Sequence, residues 1–393
     1  MKIALVHDWL NGMRGGEKVL EVLCELYPEA TIYTLIYEPE KVSSTIRKMK
    51  VISHPVLGKL PLVKNHYRHY LPLFPYFIEQ FDLRGFDLVI STSHCVAKGV
   101  IVPPEAFHLC YCFTPMRYAW DQYFEYFPSN QRGLKSLLIP FFMNHLRIWD
   151  QLSASRVDKF IAISENIARK INKYYRRDAH ILYPPVDTAF FHPVENISED
   201  YFLVVSALVP YKRVDIAVQV FNKLGFPLKI VGKGPDLNRL IQIAKPNITF
   251  LGWQDNHTLR NLYSGCKALI FPGEEDFGIV PLEAMSCGRP VIAYGKGGAL
   301  ETIQSGINGL FFDELSVDSL ISAVDKWNKM PPFIPEMVQK SIRSFERSVF
   351  KENFKNTVNQ YYNEWIYNGK TKSFSNCYPI QYLNKAGKWT LNE

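Results

Sequence analysis

Residues 267–296 read KALIFPGEEDFGIVPLEAMSCGRPVIAYGK. Two short apolar runs, KALIFPG and PVIAYGK, flank a stretch of helical character, the pattern of a strand–helix–strand unit in a parallel sheet. Pro281 fixes the middle part: it lacks an N–H and clashes with a preceding turn, so it stands at the start of a helix. The helix is therefore expected to begin at 278–280. That leaves Glu275 in the loop and puts Glu283 inside the helix. On one continuous helix the two acids would point about 80° apart and lie about 12 Å apart along the axis, too far for a single carboxylate dyad. The N–H groups of 276–280 would be partly positive and would suit phosphate or sugar oxygens. By spacing alone, Glu275 and Glu283 read better as two solvated acids, as most glutamates are.

The same alternation runs through the chain. In the first half, strands are expected at KIALVHD, TIYTLIY, DLVISTS, HLCYCFT and DKFIAIS, with helices over 17–27 and 165–175. A glycine-bearing loop, 11–16, joins the first strand to the first helix. The proline-rich stretch HILYPPVDTAFFHP then breaks the pattern, which restarts at YFLVVSA and continues through PLKIVGKG, NITFLGW, KALIFPG and PVIAYGK. An amphipathic helix is expected over 350–366. The fold class is thus α/β, with a first domain over 1–186, a second over 187–349, and a helix and tail over 350–393 returning to the first. Two open α/β domains leave a cleft between the carboxyl ends of their sheets, where ligands bind.

Composition bounds the function. A chain of 393 residues is long for one domain, and 47% hydrophobic and 14% aromatic residues are ample for two cores. The net charge of +7 is spread over scattered residues without a basic arm, so no nucleic-acid partner is expected. Seven irregularly spaced cysteines with no C-x-x-C pair fit a reduced, cytoplasmic protein without a zinc cluster. Asp8 interrupts the first apolar run, so no signal peptide is expected, and no apolar run is long enough to span a membrane.

The 271–291 stretch resembles the glutamate-x7-glutamate signature of retaining glycosyltransferases of family four (group 1), which have the two-domain GT-B fold. The resemblance extends to VHDWLNGMRGGEKVLE, CYCFTPMRYAWD, FIAISENIARKI, ILYPPVD, SALVPYKRVDIAV, IVGKGPD, FLGW and GKGGALETI, in order over roughly 1–312. It is closest in character to bacterial mannosyltransferases of O-antigen and exopolysaccharide assembly. The resemblance implies transfer of a hexose, with mannose from GDP-mannose as the first reading and a UDP-linked donor as the other, to a lipid-linked or oligosaccharide acceptor. It implies neither a metal nor a cofactor beyond the donor itself.

On the same basis Glu275 would contact the transferred sugar, helped by the amides of Asp276, Phe277 and Gly278 ahead of Ile279, and Glu283 would hold the ribose. Lys212 would face the donor diphosphate, with Arg213 beside it. Gly15 and Gly16 would let the first loop approach that diphosphate, and Gly232, Gly234 and Gly252 would line the nucleotide side. Trp253 would serve either the base pocket or domain packing. Phe113, Arg117, Tyr118 and Trp120 are expected on the acceptor side. The cation-and-aromatic segment 59–77 suits either a peripheral contact with the inner face of the cytoplasmic membrane or packing on its own domain.

Two departures stand out. Ala207 replaces one of the two cations that relatives direct at the pyrophosphate, and Phe113 replaces a histidine near the reacting centre. Phenylalanine offers no hydrogen bond. Together these changes should cost on the order of several kcal/mol of transition-state binding, at about 3 kcal/mol per donor. Compensation by Arg213, Arg14 or His94 is one outcome. A weakened relative that binds a nucleotide-sugar or a partner transferase is a second, and a related GT-B enzyme such as a nucleotide-sugar epimerase a third. His7 and His108 also fall near strand ends, with ordinary packing as their other role.

Overall fold

Runs of Val, Ile, Leu and aromatic residues build two all-parallel sheets in the computed structural model. It describes residues 1–61, 63–127, 134–195 and 200–371, and the backbone of the antiparallel pair 382–383 with 389–390. The rest of the C-terminal tail lies outside the described residues.

The first sheet comprises β1 (Ile3–His7), β2 (Thr31–Thr34), β3 (Lys50–Ser53), β4 (Leu88–Ser93), β5 (Phe107–Cys112), β6 (Lys159–Ala162) and β7 (Ala179–Ile181), in the order β3-β2-β1-β4-β5-β6-β7. The second comprises β8 (Phe202–Val205), β9 (Leu228–Val231), β10 (Ile248–Gly252), β11 (Leu269–Phe271), β12 (Val291–Tyr294) and β13 (Gly309–Phe312), in the order β10-β9-β8-β11-β12-β13. β4 and β5 are buried along their whole length, as strands covered by helices on both faces must be. Alternation sorts β1 between two cores: Ala4 and Val6 join one cluster, Leu5 the other. The Leu5 cluster runs on into the second domain through Leu203, Leu269 and Leu282, so an apolar seam joins the domains.

Six helices position the site or brace it: α1 (Gly15–Leu26), α2 (Leu134–Ser155), α3 (Glu165–Tyr175), α4 (Val214–Leu224), α5 (Ile279–Ser286) and α6 (Arg347–Thr371). α1 starts two residues before the expected 17, because Glu17 reaches back to accept the Arg14 N–H at 3.1 Å and draws both glycines into the first turn. α6 starts three residues before 350. The chain leaves the first domain and comes back beside itself: Val186 N donates to Phe345 O at 2.8 Å. α6 then lies on the first domain, with Phe350 and Phe354 edge-on to Tyr111 at 5.9 and 6.0 Å and Arg347 bonded to Glu25 at 2.6 Å.

Strand order reverses between β1 and β4 and again between β8 and β11. At such a switch point the loops leaving adjacent carboxyl ends diverge and open a crevice. The loops after these strands carry most of the sequence motifs.

Candidate active site between the domains

The switch point of the second sheet brings together the loops after β8 and β11. The first ends in the single turn Pro210–Lys212 and then Arg213, which caps α4 in the left-handed region at φ 52°. A side chain there costs roughly 1–2 kcal/mol, so the surrounding packing must hold it. The second loop carries Glu275 and ends at Gly278, whose φ of 91° turns the chain into α5. Pro281 stands in the first turn of α5, Glu275 before the helix and Glu283 within it. The Lys212 ammonium forms an ion pair with the Glu275 carboxylate, both largely buried. Burial pushes the Lys212 amine down to about 7, Arg117 acts the same way, and Asp276 opposes them.

A cavity of about 540 Å³ opens beside this pair, lined by Asp121, Gln122, Glu125 and Lys170 of the first domain and by Tyr211, Arg213, Asp215, Arg239, Glu274, Glu275 and Asp276 of the second. Arg213 is held by Asp215 at 3.2 Å and Arg239 by both oxygens of Asp236 at 2.6 and 2.7 Å. The cavity lining thus carries three cations, Lys170, Arg213 and Arg239, each paired with an acid, and six carboxylates, with Lys212 behind Glu275. An anionic ligand with several oxygens would have to take these cations from their carboxylate partners.

The remaining motif residues clamp the domains together. Asp276 receives Arg117 at 2.8 Å and Lys170 at 2.7 Å, and its carbonyl accepts the Ser164 hydroxyl at 2.7 Å. Burial alone would raise the Asp276 carboxyl, but Arg117 and then Lys170 hold it low. Glu283 is buried, accepting Lys18 of α1 at 2.7 Å and the Tyr263 hydroxyl at 3.0 Å. Glu301 accepts the first N–H groups of α3, from Glu165 at 2.7 Å and Asn166 at 3.0 Å. Phe277 is buried against Tyr183, ring centroids 5.6 Å apart.

Several expected positions differ. Gly232 and Gly234 press on the backbone of the loop after β8, where an added Cβ would stand 1.8 Å from Ser206 O and 2.0 Å from Leu208 O. Their smallness lets two loops touch, and both remain half-exposed. Gly15 and Gly16 likewise meet side chains, Ile279 across the seam and Phe113. Gly252 ends β10, and Trp253 beyond it is 67% exposed, which removes domain packing as its role and leaves a free aromatic face.

On the acceptor side, Tyr118 and Trp120 turn inward. The Tyr118 hydroxyl lies 2.6 Å from Cys95 Sγ, and the Trp120 indole donates to Asp150 at 2.7 Å, because buried O–H and N–H groups require partners. Phe113 is buried, edge-on to Tyr111 at 5.6 Å. Arg117 faces the second domain. Of the proposed compensating groups, Arg213 borders the cavity, whereas His94 is committed to Asp8 at 2.9 Å. His7 bonds Thr92 and His108 bonds Ser91, each at 2.8 Å, and burial pushes His108 down to about 3. In the 59–77 segment Tyr67 packs on Trp9 at 5.1 Å, Leu62 lies outside the described residues, and Arg68 reaches the neighbourhood of Tyr211. Burial and then Tyr126 push the Tyr211 phenol up to about 12, against Arg117 and Arg68.

Comparison with known proteins adds the family context. Residues 186–344 match the family profile described as glycosyl transferases group 1. An uncharacterized glycosyltransferase of Methanocaldococcus jannaschii is 27% identical over 179 residues, 44% of this chain and 50% of that protein. The D-inositol 3-phosphate glycosyltransferase of Mycobacterium marinum is 25% identical over 203 residues, 45% of this chain and 44% of its own. The chain therefore spans about half the length of the curated relatives it matches. Among solved structures, sucrose-phosphate synthase of Thermosynechococcus elongatus superposes with a TM-score of 0.73 at 15% identity, covering 93% of this chain and 100% of that one. HepE of Anabaena in complex with UDP superposes at 0.66 and 16% identity, covering 92% and 100%. The profile match falls on the second domain, and the whole chain has the GT-B fold.

Proposed function

We propose that this protein is a retaining glycosyltransferase that takes a nucleotide-sugar into the interdomain cavity and passes its hexose to a hydroxyl acceptor. The observation that carries the reading is the Lys212–Glu275 pair at the switch point, beside the amino end of α5 and a cavity lined from both domains. The pair neutralises itself. A donor diphosphate would compete for the Lys212 ammonium and free the Glu275 carboxylate for sugar hydroxyls, so one ligand would reorganise both charges. Arg213 and Arg239 would offset the charge that grows on the leaving diphosphate, where electrostatic stabilisation acts on the rate. This gives a physical substitute for the cation missing at Ala207.

Trp253 would offer its exposed face to the base. The adjacent clamps at Asp276, Glu283 and Glu301 would exclude water that otherwise diverts the sugar to hydrolysis. The donor is read first as GDP-mannose, from the character of the motifs. A UDP-sugar is the specific alternative, supported by the HepE complexes with UDP and UDP-glucose. The acceptor is read as a lipid-linked or oligosaccharide hydroxyl in surface polysaccharide synthesis, met at the cytoplasmic face of the membrane. Proton NMR of the product formed from GDP-mannose or UDP-glucose with a lipid extract as acceptor tests the reading. The expected product keeps the anomeric configuration of the donor; an inverted product, or an epimerised nucleotide-sugar, contradicts it.

A further inference from the structure

Helix α2 turns outward a face that its own domain does not use. Met143, Leu146 and Asp150 point into the domain, whereas Leu138, Phe141, Phe142, Ile148 and Leu152 point to solvent, Phe141 58% and Leu152 60% exposed. From 138 to 152 the face is about 21 Å long. The other exposed positions over 138–155 are Pro140, Asn144, His145, Gln151 and Ser155, so no fixed charge interrupts it. Arg147, on the same helix, folds back onto the Ala119 carbonyl and the Tyr123 ring.

The apolar surface does not stop at this helix. The turn Tyr123–Tyr126 packs on α2 through Arg147 and exposes 72% of Phe124. Its last residue, Tyr126, lies 6.0 Å from Tyr211 of the cavity wall, ring to ring. On another side the turn Phe74–Ile78, tied to α2 where the Trp149 indole donates to Glu79 at 2.8 Å, exposes 66% of Tyr76. Single exposed apolar residues are ordinary; five on one helix face, with a further exposed aromatic on each of two elements packed against that helix, mark an interaction surface.

Three features choose its occupant. A helix-pairing seam is narrow and flanked by charges that form ion pairs with the partner; the stripe on α2 is broad and uncharged over 138–155, with exposed Asp121 and Glu125 beside Phe124. Its aromatic content is that of side chains which settle at a lipid–water boundary. The first 186 residues hold 23 Lys and Arg against 17 Asp and Glu, +6 of the chain's net +7, the sign that anionic headgroups attract. No helix among the described residues is long and apolar enough to cross a membrane, so contact would be with the surface. We propose that the outer face of α2, continued by Phe124 and Tyr76, docks the protein on an anionic bilayer and so sets the cavity mouth at the headgroup level. The 59–77 segment, expected from its composition to touch the membrane, then acts chiefly as support beneath α2, since Tyr67, Phe74 and Phe77 share its buried cluster.

Docking rests on the transferase reading only for the acceptor, and it is tested without donor or acceptor, so the two fail separately. The test is flotation of the full chain with vesicles of phosphatidylethanolamine and phosphatidylglycerol, in parallel with neutral phosphatidylcholine. Wild type should float with the anionic vesicles, and Phe141→Ser with Ile148→Ser and Leu152→Ser should weaken binding at least about tenfold, given the apolar area withdrawn from lipid. Donor affinity and circular dichroism should stay unchanged. Should the triple variant misfold, Leu152→Glu alone, at the most exposed position of the stripe, must still show the loss. The proposal is overturned if wild type stays in the soluble fraction or if the folded variants float like wild type. It is also overturned if wild type is a dimer that the substitutions dissociate while vesicles leave it unbound.

Discussion

Lys212 is buried as well as paired with Glu275, and it is the burial, opposed by the carboxylate, that gives it a pH dependence. With burial pushing the amine down to about 7, Lys212 gives up its proton as pH rises past neutrality unless a diphosphate holds it. Donor binding then requires proton uptake, and affinity should fall by up to about tenfold per pH unit above that point. Calorimetry of GDP and UDP from pH 6 to 9 checks this, and Lys212→Arg, charged throughout, should flatten the profile. A flat wild-type profile would remove Lys212 from the diphosphate. At this scale it was the resemblance to family four, rather than spacing, that singled out Glu275, Lys212 and Arg213. Lys170, Arg239 and Tyr211 carried no such signal: Lys170 meets Asp276 only where the two domains join, and Arg239 and Tyr211 come to the cavity only once the second domain is folded. The inward turn of Tyr118 and Trp120 was hidden for the same reason, since Cys95 and Asp150 are their partners only in the folded chain.

Helix termini do much of the joining between elements. Ser164 caps α3 by accepting the Ile167 N–H at 3.0 Å and donates across the cleft to Asp276, while Glu301 of the second domain accepts two further amides of the same helix. An acid at a helix amino end is worth about 0.3–2 kcal/mol. Glu301→Ala should therefore loosen the interdomain contact by about 1 kcal/mol, read as a larger radius of gyration by small-angle X-ray scattering and a higher donor KM. An unchanged radius would make the contact incidental. Strands with continuous apolar runs, such as β4, β5 and β11, were legible because parallel strands are buried on both faces. β3 and β7 were not: at the edges of the sheet their residues are largely exposed or half-buried, and KVIS and AHI lack a distinguishing run.

At the scale of the whole molecule, one buried acid anchors the switch point of the first sheet. Asp8 accepts the amides of His94, Cys95, Val96 and Ala97 at 2.6–3.0 Å, tying β1 to the loop after β4 at the switch point of the first sheet. Burial alone would raise its carboxyl, but His94 and then His7 hold it well below the usual carboxylate range. A depressed carboxyl stabilises the fold above its unfolded value, about 3.9, and loses that contribution as pH falls through the folded one. Asp8→Asn should thus cost about 3 kcal/mol at neutral pH, with the gap to wild type closing as urea melts are taken toward strong acid. A gap that does not shrink would mean the loss is one of packing. The double crossing at Val186 and Phe345 and the return of α6 make the two domains one mechanical unit, and the cavity between them the place where chemistry can be enclosed. The most direct test of that claim is the release of nucleoside diphosphate from GDP-mannose and UDP-glucose, with a lipid extract as acceptor, by wild type and by Glu275→Gln. Wild type should turn over one of them, and Glu275→Gln should bind it but react at least about a hundredfold more slowly. Full activity in Glu275→Gln, or no turnover of either donor by wild type, would contradict the account.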